Sequence, residues 1–505
     1  MPRERSARAD RRSSRTGGVR QLDWRTVRNP YRPIEVLTED QIELIHDASL
    51  RILETTGMDF LHPEATALLE AHGAAVDGER VRFDREMVTE LVAGAPASFT
   101  MHARNPAHHV TVGGNETVFC TVASAPNSSS LDGGRRVGNF ADYQDFLRLG
   151  QSFNIIHAFG GYPVEPVDLP PETRHLQALS AFVTLTDKVF HAYALGRRRI
   201  VDALEIVRIG RGITRDQLAT EPSLFTIVNT SSPLRLDGPM IEGLIEMAKM
   251  NQVVVITPFT LSGAMAPASI AGALAQQNAE ALAAIAFTQL VGPGSPVVYG
   301  GFTSNVDMRS GSPAFGTPEY TRAALAGGQL ARRYGLPYRS SNANAANAVD
   351  AQAAYESQMS LWGAVMGHAN LVMHGAGWME GGLVASFEKF VVDIEMLQMM
   401  SEFLTPLVVD DAELAVDAIA QVGPGGHFFG SPHTLERYES AFYSPIVSDW
   451  QNFEAWNLGG ARTTVERAHD LYRKVLADYE TPPLDDSIRA ELDDFVGRRL
   501  DGGSA

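Results

Sequence analysis

The stretch VVVITPF at 253–259 carries no polar alternation. A strand buried on both faces reads this way, because neither of its faces meets water. Seven further runs of the same kind lie on either side of it: VFCTV (118–122), NIIHAF (154–159), VFHAYAL (189–195), LFTIVN (224–229), VVYGGF (297–302), LPYRSS (336–341) and NLVMHGAG (370–377). Between and after them the apolar spacing changes to that of helices, near 140–150, 170–186, 198–210, 238–250, 268–291, 317–334, 351–368 and 386–404. Several of these begin with start signals, such as Asn139 before Asp142 and Thr317–Pro318 before Glu319. Eight alternating units predict an α/β fold closed as a (β/α)8 TIM barrel, with an open doubly wound sheet as the alternative. No GxGxxG turn follows the first run, which argues against a dinucleotide fold.

The flanks do not follow this alternation. Residues 1–30 read as a flexible basic arm, with Arg3, Arg5, Arg8, Arg11, Arg12, Arg15 and Arg20 among small residues. Residues 31–116 read as a cap of helices near 40–56, 63–73 and 85–93, followed by extended chain turning at Gly113–Gly114. The barrel is expected over 117–405. A helical appendage is expected over 406–505, with its final helix at 461–477.

Composition narrows the function. The formal net charge of −18 disfavours nucleic acid and anionic membranes and favours cationic ligands. A single cysteine, Cys120, rules out an internal disulfide framework and makes a thiolate zinc site unexpected. No apolar stretch nears the ~20 residues that span a bilayer. The Arg11–Arg12 pair is followed by no apolar run, so a cytoplasmic enzyme is expected.

Side chains at the C-terminal ends of barrel strands face the active site. Here those ends offer Asn127, Ser128, Tyr162, His191, Tyr193, Asn229, Phe259, Tyr299, Phe302, Asn342, Asn344, Asn347, His374, Trp378 and Glu380. They are rich in aromatics and amides and poor in paired carboxylates. No HExxH, GxSxG or phosphate-loop pattern occurs. Lys188 lies at the wrong end of its run for strand-end chemistry. Trp378 and Glu380 alternate along an extended segment, and an indole face with a carboxylate suits a methylated ammonium group, which is held by π-faces and a diffuse negative field. The plainer alternative has Trp378 plugging the barrel and Glu380 capping the helix that starts near Ser386. Likewise, SSNANAANAVD (340–350) reads as a polar site rim or as a solvated turn with a cap at Asp350. His427 and His433 read as structural or surface residues, and Cys120 as a buried small apolar side chain.

The chain resembles the trimethylamine methyltransferase family, specifically its members without pyrrolysine. The resemblance covers roughly residues 30–480. It rests on GAAVDGERVRF (73–83), HARNP (102–106), LDGGRR (131–136), DAQAAYES (350–357), HGAGWMEGGLVASFEKFVVDIEML (374–397), GPGGHFFGSPHTLERY (423–438) and FEAWNLGGARTTVERA (453–468). It implies a (β/α)8 barrel that moves a methyl group from an amine to the cobalt of a corrinoid on a separate protein, with no bound metal of its own. The loop that carries pyrrolysine in archaeal relatives here holds Asn342, Asn344 and Asn347. That departure implies a quaternary amine such as glycine betaine in place of trimethylamine. On this reading Trp378, Tyr299, Phe302 and His374 line the site, Glu380 offsets the cation, and the asparagines meet the polar tail. A homo-oligomer is expected. A folate-linked amine demethylase and a non-catalytic quaternary-amine-binding barrel remain as alternatives.

Overall fold

The computed structural model describes residues 15–16 and 19–502. Residues 1–14 and 17–18 of the expected basic arm lie outside the described residues. From Val19 onward the arm is not a free tail. Val19, Gln21, Val27 and Asn29 are buried, and the Gln21 side-chain amide donates to the carbonyl of Ser152 at 2.8 Å.

The central element is a curled eight-stranded sheet in a mixed α/β fold. Its order is Phe190–His191, Leu224–Val228, Val253–Ile256, Val297–Gly300, Tyr338–Ser341, Leu371–Ala376, Glu116–Thr121 and Val27–Arg28. All pairings are parallel except the last, in which Val27 meets Thr117 antiparallel. Seven of the eight apolar runs supply these strands. The eighth, NIIHAF, forms no strand: Ala158 alone makes parallel bridges, to Cys120 on one side and Val189 on the other. Its neighbour His157 is held by both backbone and side chain: its N–H donates to Phe119 O at 2.9 Å, and its imidazole accepts from the Phe119 N–H at 3.0 Å.

Period-2 alternation divides the strand residues into two layers. Cys120, Val189, Phe225, Val253, Val255, Val298, Leu371 and Met373 form one apolar cluster inside the curl. Met101, Val110 and Val112 of the hairpin Ser98–Met101/Val110–Gly113 pack into the same cluster. Val254, Ile256, Val297, Tyr299 and Val372 face outward into the main core with the helices. Each large aliphatic side chain sealed in this way stabilises the fold by about 1.5–3 kcal/mol. Burial pushes the Cys120 thiol up to about 12, as befits a packed apolar group.

Eight helices cover the outer face: Phe140–Ser152, Arg174–Leu185, Arg197–Arg211, Gly238–Lys249, Ile270–Val291, Pro318–Arg333, Ala351–Met366 and Phe387–Phe403. Six of these starts carry a side-chain cap; those of Arg174–Leu185 and Arg197–Arg211 do not. Asn139 accepts from Asp142 N–H, Thr317 from Tyr320 N–H, and Asp350 from Gln352 and Ala353 N–H. Caps of this kind contribute about 1 kcal/mol each.

Helices Glu39–Thr55, Pro63–Ala71 and Arg85–Ala93 lie between the strands Val27–Arg28 and Glu116–Thr121. After the sheet, Thr464–Ala477 docks on Phe387–Phe403, with Tyr472 stacked on Phe387 at 5.0 Å. A last helix that the sequence pattern did not suggest, Asp486–Asp501, is tied to Arg197–Arg211 by Arg499 on Asp202. Among the described residues no helix is long and apolar enough to cross a membrane.

Candidate functional site

A cavity of about 420 Å³ lies over the C-terminal ends of the strands, within the range usual for small-ligand sites. Six of the eight apolar runs contribute to its wall, through Tyr193, Asn229, Phe259, Phe302, Arg339 and His374, and Ser124 and Gly160 lie just past the other two. Trp378, Gly381 and Gly382 complete the rim.

The aromatic side is tightly ordered. His374 stacks on Trp378, with centroids 5.2 Å apart and planes at 24°. Phe302 meets both rings edge-on, at 5.9 Å from His374 and 6.2 Å from Trp378, and Phe259 stacks on Phe302 at 5.3 Å. Strict alternation would turn His374 outward. The pairing with Glu116–Thr121 slips between Val372 and Ala376, and His374 takes a positive φ of 57° at that irregularity. A bulge re-aims a side chain in this way, so the imidazole enters the cavity and its Nδ1 lies 3.2 Å from Ser341 Oγ. Burial first, then the nearby Arg339, hold the ring well below its usual pKa, so it is neutral. Gly382, at φ +98°, lies flat against the indole: a Cβ there would sit 2.9 Å from the ring of Trp378.

Arg339 is the unexpected member. It is 2% exposed, its Nη1 donates weakly to Gly301 O at 3.3 Å, and its Nε is buried without a partner. Among the described residues no carboxylate pairs with it. Its guanidinium lies over Phe302, 5.1 Å from the ring centroid. Burial lowers its pKa to about 10. An unpaired cation in such a place is costly.

The sequence-derived candidates separate sharply. Trp378, Phe302 and His374 meet in the cavity. Tyr299 does not: it points outward, 0% exposed, with its hydroxyl donating to Asn278 Oδ1 at 2.9 Å. Glu380 also fails to line the cavity. Its carboxylate turns away to Arg135 at 3.0 Å, because the helical turn Glu380–Gly382 breaks the extended phase set by Trp378. Ser386, not Glu380, caps the following helix.

The asparagines support the site from behind. Asn344 donates to the Trp378 carbonyl at 2.6 Å, and Asn342 to Gly375 O at 3.0 Å and Asp393 Oδ1 at 3.2 Å. Asn347 is exposed and lies away from the cavity. Asn127 and Ser128 belong to a small rim sheet, where they pair with Val384 and Ala385. The wall carboxylate is Glu165, from the loop after Ala158, which the strand-end reading missed. Burial raises its pKa although Arg174 lies 3.7 Å away. Lys188 is confirmed at the opposite end, donating to the Gly150 and Phe153 carbonyls. His433 contacts Ala412 O at 3.2 Å, outside the cavity. Among the described residues no three His, Cys, Asp or Glu side chains gather as a metal site.

A mostly parallel sheet with a cavity over its strand ends is an α/β arrangement of the kind in which enzymes place their chemistry at the rim. The model of the trimethylamine methyltransferase (MTTB) family matches residues 3–504, and the chain belongs to that family of methyltransferases. It is 39% identical over 465 residues to a glycine betaine methyltransferase of Desulfitobacterium hafniense (strain Y51), covering 92% of this chain and 97% of the relative. It is 27% identical to the trimethylamine methyltransferase MttB of Desulfitobacterium hafniense (strain DSM 10664 / DCB-2), covering 91% and 92%. The monomethylamine methyltransferase of Methanosarcina barkeri shares the fold, with a TM-score of 0.51 over 89% of both chains at 11% identity.

Proposed function

We propose that this enzyme demethylates a betaine, a quaternary ammonium joined to a carboxylate, and delivers the methyl group to a corrinoid on a separate protein. The observation that carries the reading is Arg339: a buried guanidinium without a carboxylate partner, beside an aromatic wall. The wall suits an ammonium that has no N–H to donate, and the guanidinium suits a carboxylate through its forked donors. Trimethylamine carries no anion, so it would leave Arg339 uncompensated. The similarity to a glycine betaine methyltransferase points the same way.

The chemistry asks little of the protein. The leaving group is a neutral tertiary amine, so its departure requires no proton, and the reduced corrinoid supplies the nucleophile. This chain's residues bind, orient and exclude water. The neutral His374 adds no charge to repel the ammonium, and Glu165 on the wall favours it.

The reading includes closure of the sheet. Ala158 bridges Cys120 and Val189, and the C-terminal ends of all eight runs, or the residues just past them, meet at one cavity, which supports a closed (β/α)8 barrel over 117–405 with a cap before it and an appendage after. The test is incubation with reduced corrinoid and, separately, glycine betaine, proline betaine, carnitine, choline and trimethylamine, with the demethylated amine measured. Turnover of a betaine without turnover of trimethylamine supports the proposal. Turnover of trimethylamine or choline in preference to every betaine overturns it, and binding of a betaine without any turnover points to a binding protein.

A further inference from the structure

Beside the ligand cavity lies a second one, of about 400 Å³, and the two share Glu165, Tyr193 and Leu195 as a partition. The methyl-transfer reading gives it no task. Its wall nevertheless carries Arg174, Arg199 and His175. The Arg174 Nη2 donates to Leu169 O at 2.9 Å, while its buried Nε has no partner. Arg199 donates to Pro171 O at 2.9 Å. His175 is 4% exposed. Its Nε2 is fixed on Asp202 at 2.9 Å, and its buried Nδ1 has no partner. With Nε2–H donated to Asp202, Nδ1 presents a lone pair.

The second cavity thus offers two guanidinium groups and two acceptors, Glu165 and His175 Nδ1. Loss of a methyl group changes the ligand in one respect that such a wall can read. A quaternary betaine has no N–H. The tertiary amine left behind takes a proton from water and becomes an ammonium with a single N–H beside the same carboxylate. Buried acceptors built for a donor reject a ligand that lacks one far more strongly than apolar surface rejects a missing methyl.

Resting on the betaine reading, we propose that the second cavity is a product subsite. It holds the N-protonated dimethylamino acid, with its carboxylate on Arg174 and Arg199 and its N–H on Glu165 or His175. Movement past Tyr193 then frees the first cavity for the next substrate while the product is retained briefly next door.

The experiment is calorimetric titration of the full-length protein with N,N-dimethylglycine, alone and with glycine betaine at saturation. The expected result is a dimethylglycine site whose Kd changes less than about threefold when betaine is saturating. Arg199→Gln is expected to weaken dimethylglycine at least tenfold more than it weakens betaine. Simple competition, with the apparent Kd rising in proportion to betaine, overturns the subsite and leaves the betaine reading intact. Failure of betaine itself to bind overturns both.

Discussion

The Arg339 guanidinium lies over the face of Phe302, its central carbon 5.1 Å from the ring centroid, with its Nε buried and unpaired. Phe302 offers the cation a π-face but no counter-charge. Replacing an uncompensated buried charge by an apolar side chain of similar length is neutral or stabilising. Arg339→Met is therefore expected to leave the Tm of the unliganded protein unchanged or higher. It is expected to weaken glycine betaine about 100-fold, ~3 kcal/mol, because a buried charge-assisted pair is lost. Differential scanning calorimetry and titration on the same variant check both. A large drop in Tm would make Arg339 a structural residue.

Trp378 contributes a face of a different kind. Its ring is fixed by His374, Phe302 and Phe315, and its carbonyl accepts from Asn344. A desolvated cation–π contact is worth up to about 2 kcal/mol. Trp378→Phe is expected to raise KM for the betaine by less than tenfold, and Trp378→Ala by more. Steady-state kinetics on the pair would falsify the aromatic-wall assignment if both variants matched the parent enzyme.

How much of this was legible in the sequence follows from what period and phase encode. Helix period located all eight outer helices, and start signals sharpened those that Asn139, Thr317 and Asp350 cap. Phase within a strand was harder to read. Tyr299 and Val298 are neighbours facing opposite ways, and a one-residue error exchanges core for cavity. His374 entered the cavity through an irregularity that no alternation predicts. Arg339 had a usable signal: an arginine inside the otherwise buried run LPYRSS demands an anion from somewhere. Glu165 had none, since a loop of no period carries it back to the wall.

The pairing of Glu380 with Arg135 makes a prediction that the sequence alone would have reversed. The pair lies outside the cavity, and Arg135 is half exposed. Partly exposed ion pairs contribute about 0–1 kcal/mol. Glu380→Gln is expected to change KM for a betaine less than threefold, whereas Glu165→Gln, on the cavity wall, is expected to raise it by more. Kinetics on the two variants, side by side, decide which carboxylate the substrate meets.

Behind the rim, Lys389 and Asp393 form an ion pair with both side chains 0% exposed. Asp393 also accepts from Gly377 N–H at 2.8 Å and from Asn342, so it fixes the backbone on which Trp378 rides. Removing one partner of a buried pair leaves a bare charge and costs about 3–5 kcal/mol. Lys389→Met is expected to lose that much in chemical denaturation. The double variant Lys389→Met/Asp393→Leu should recover part of it. If the double variant is less stable than the single by a further several kcal/mol, the charge pair is not what holds this segment.

Buried histidines contribute to the acid limit of the fold, His374 of the cavity wall among them. His191 is 0% exposed with both ring nitrogens unpaired, and His157 accepts from Phe119 N–H through Nδ1. Burial depresses both to about 3. In the unfolded chain each binds a proton below about pH 6.5. Between roughly pH 6 and 3 the unfolded state therefore holds more protons, and stability falls as pH falls. Each ring contributes about 1.4 kcal/mol per pH unit in that window, and neither contributes a slope above pH 7. His191→Leu removes one of these titrations and leaves an apolar side chain against Phe225. The variant is expected to lose stability between pH 6 and 4 less steeply than the parent, by about 1.4 kcal/mol per unit. Urea denaturation across that range measures the slope, and an unchanged slope would mean that His191 takes up its proton without unfolding the chain.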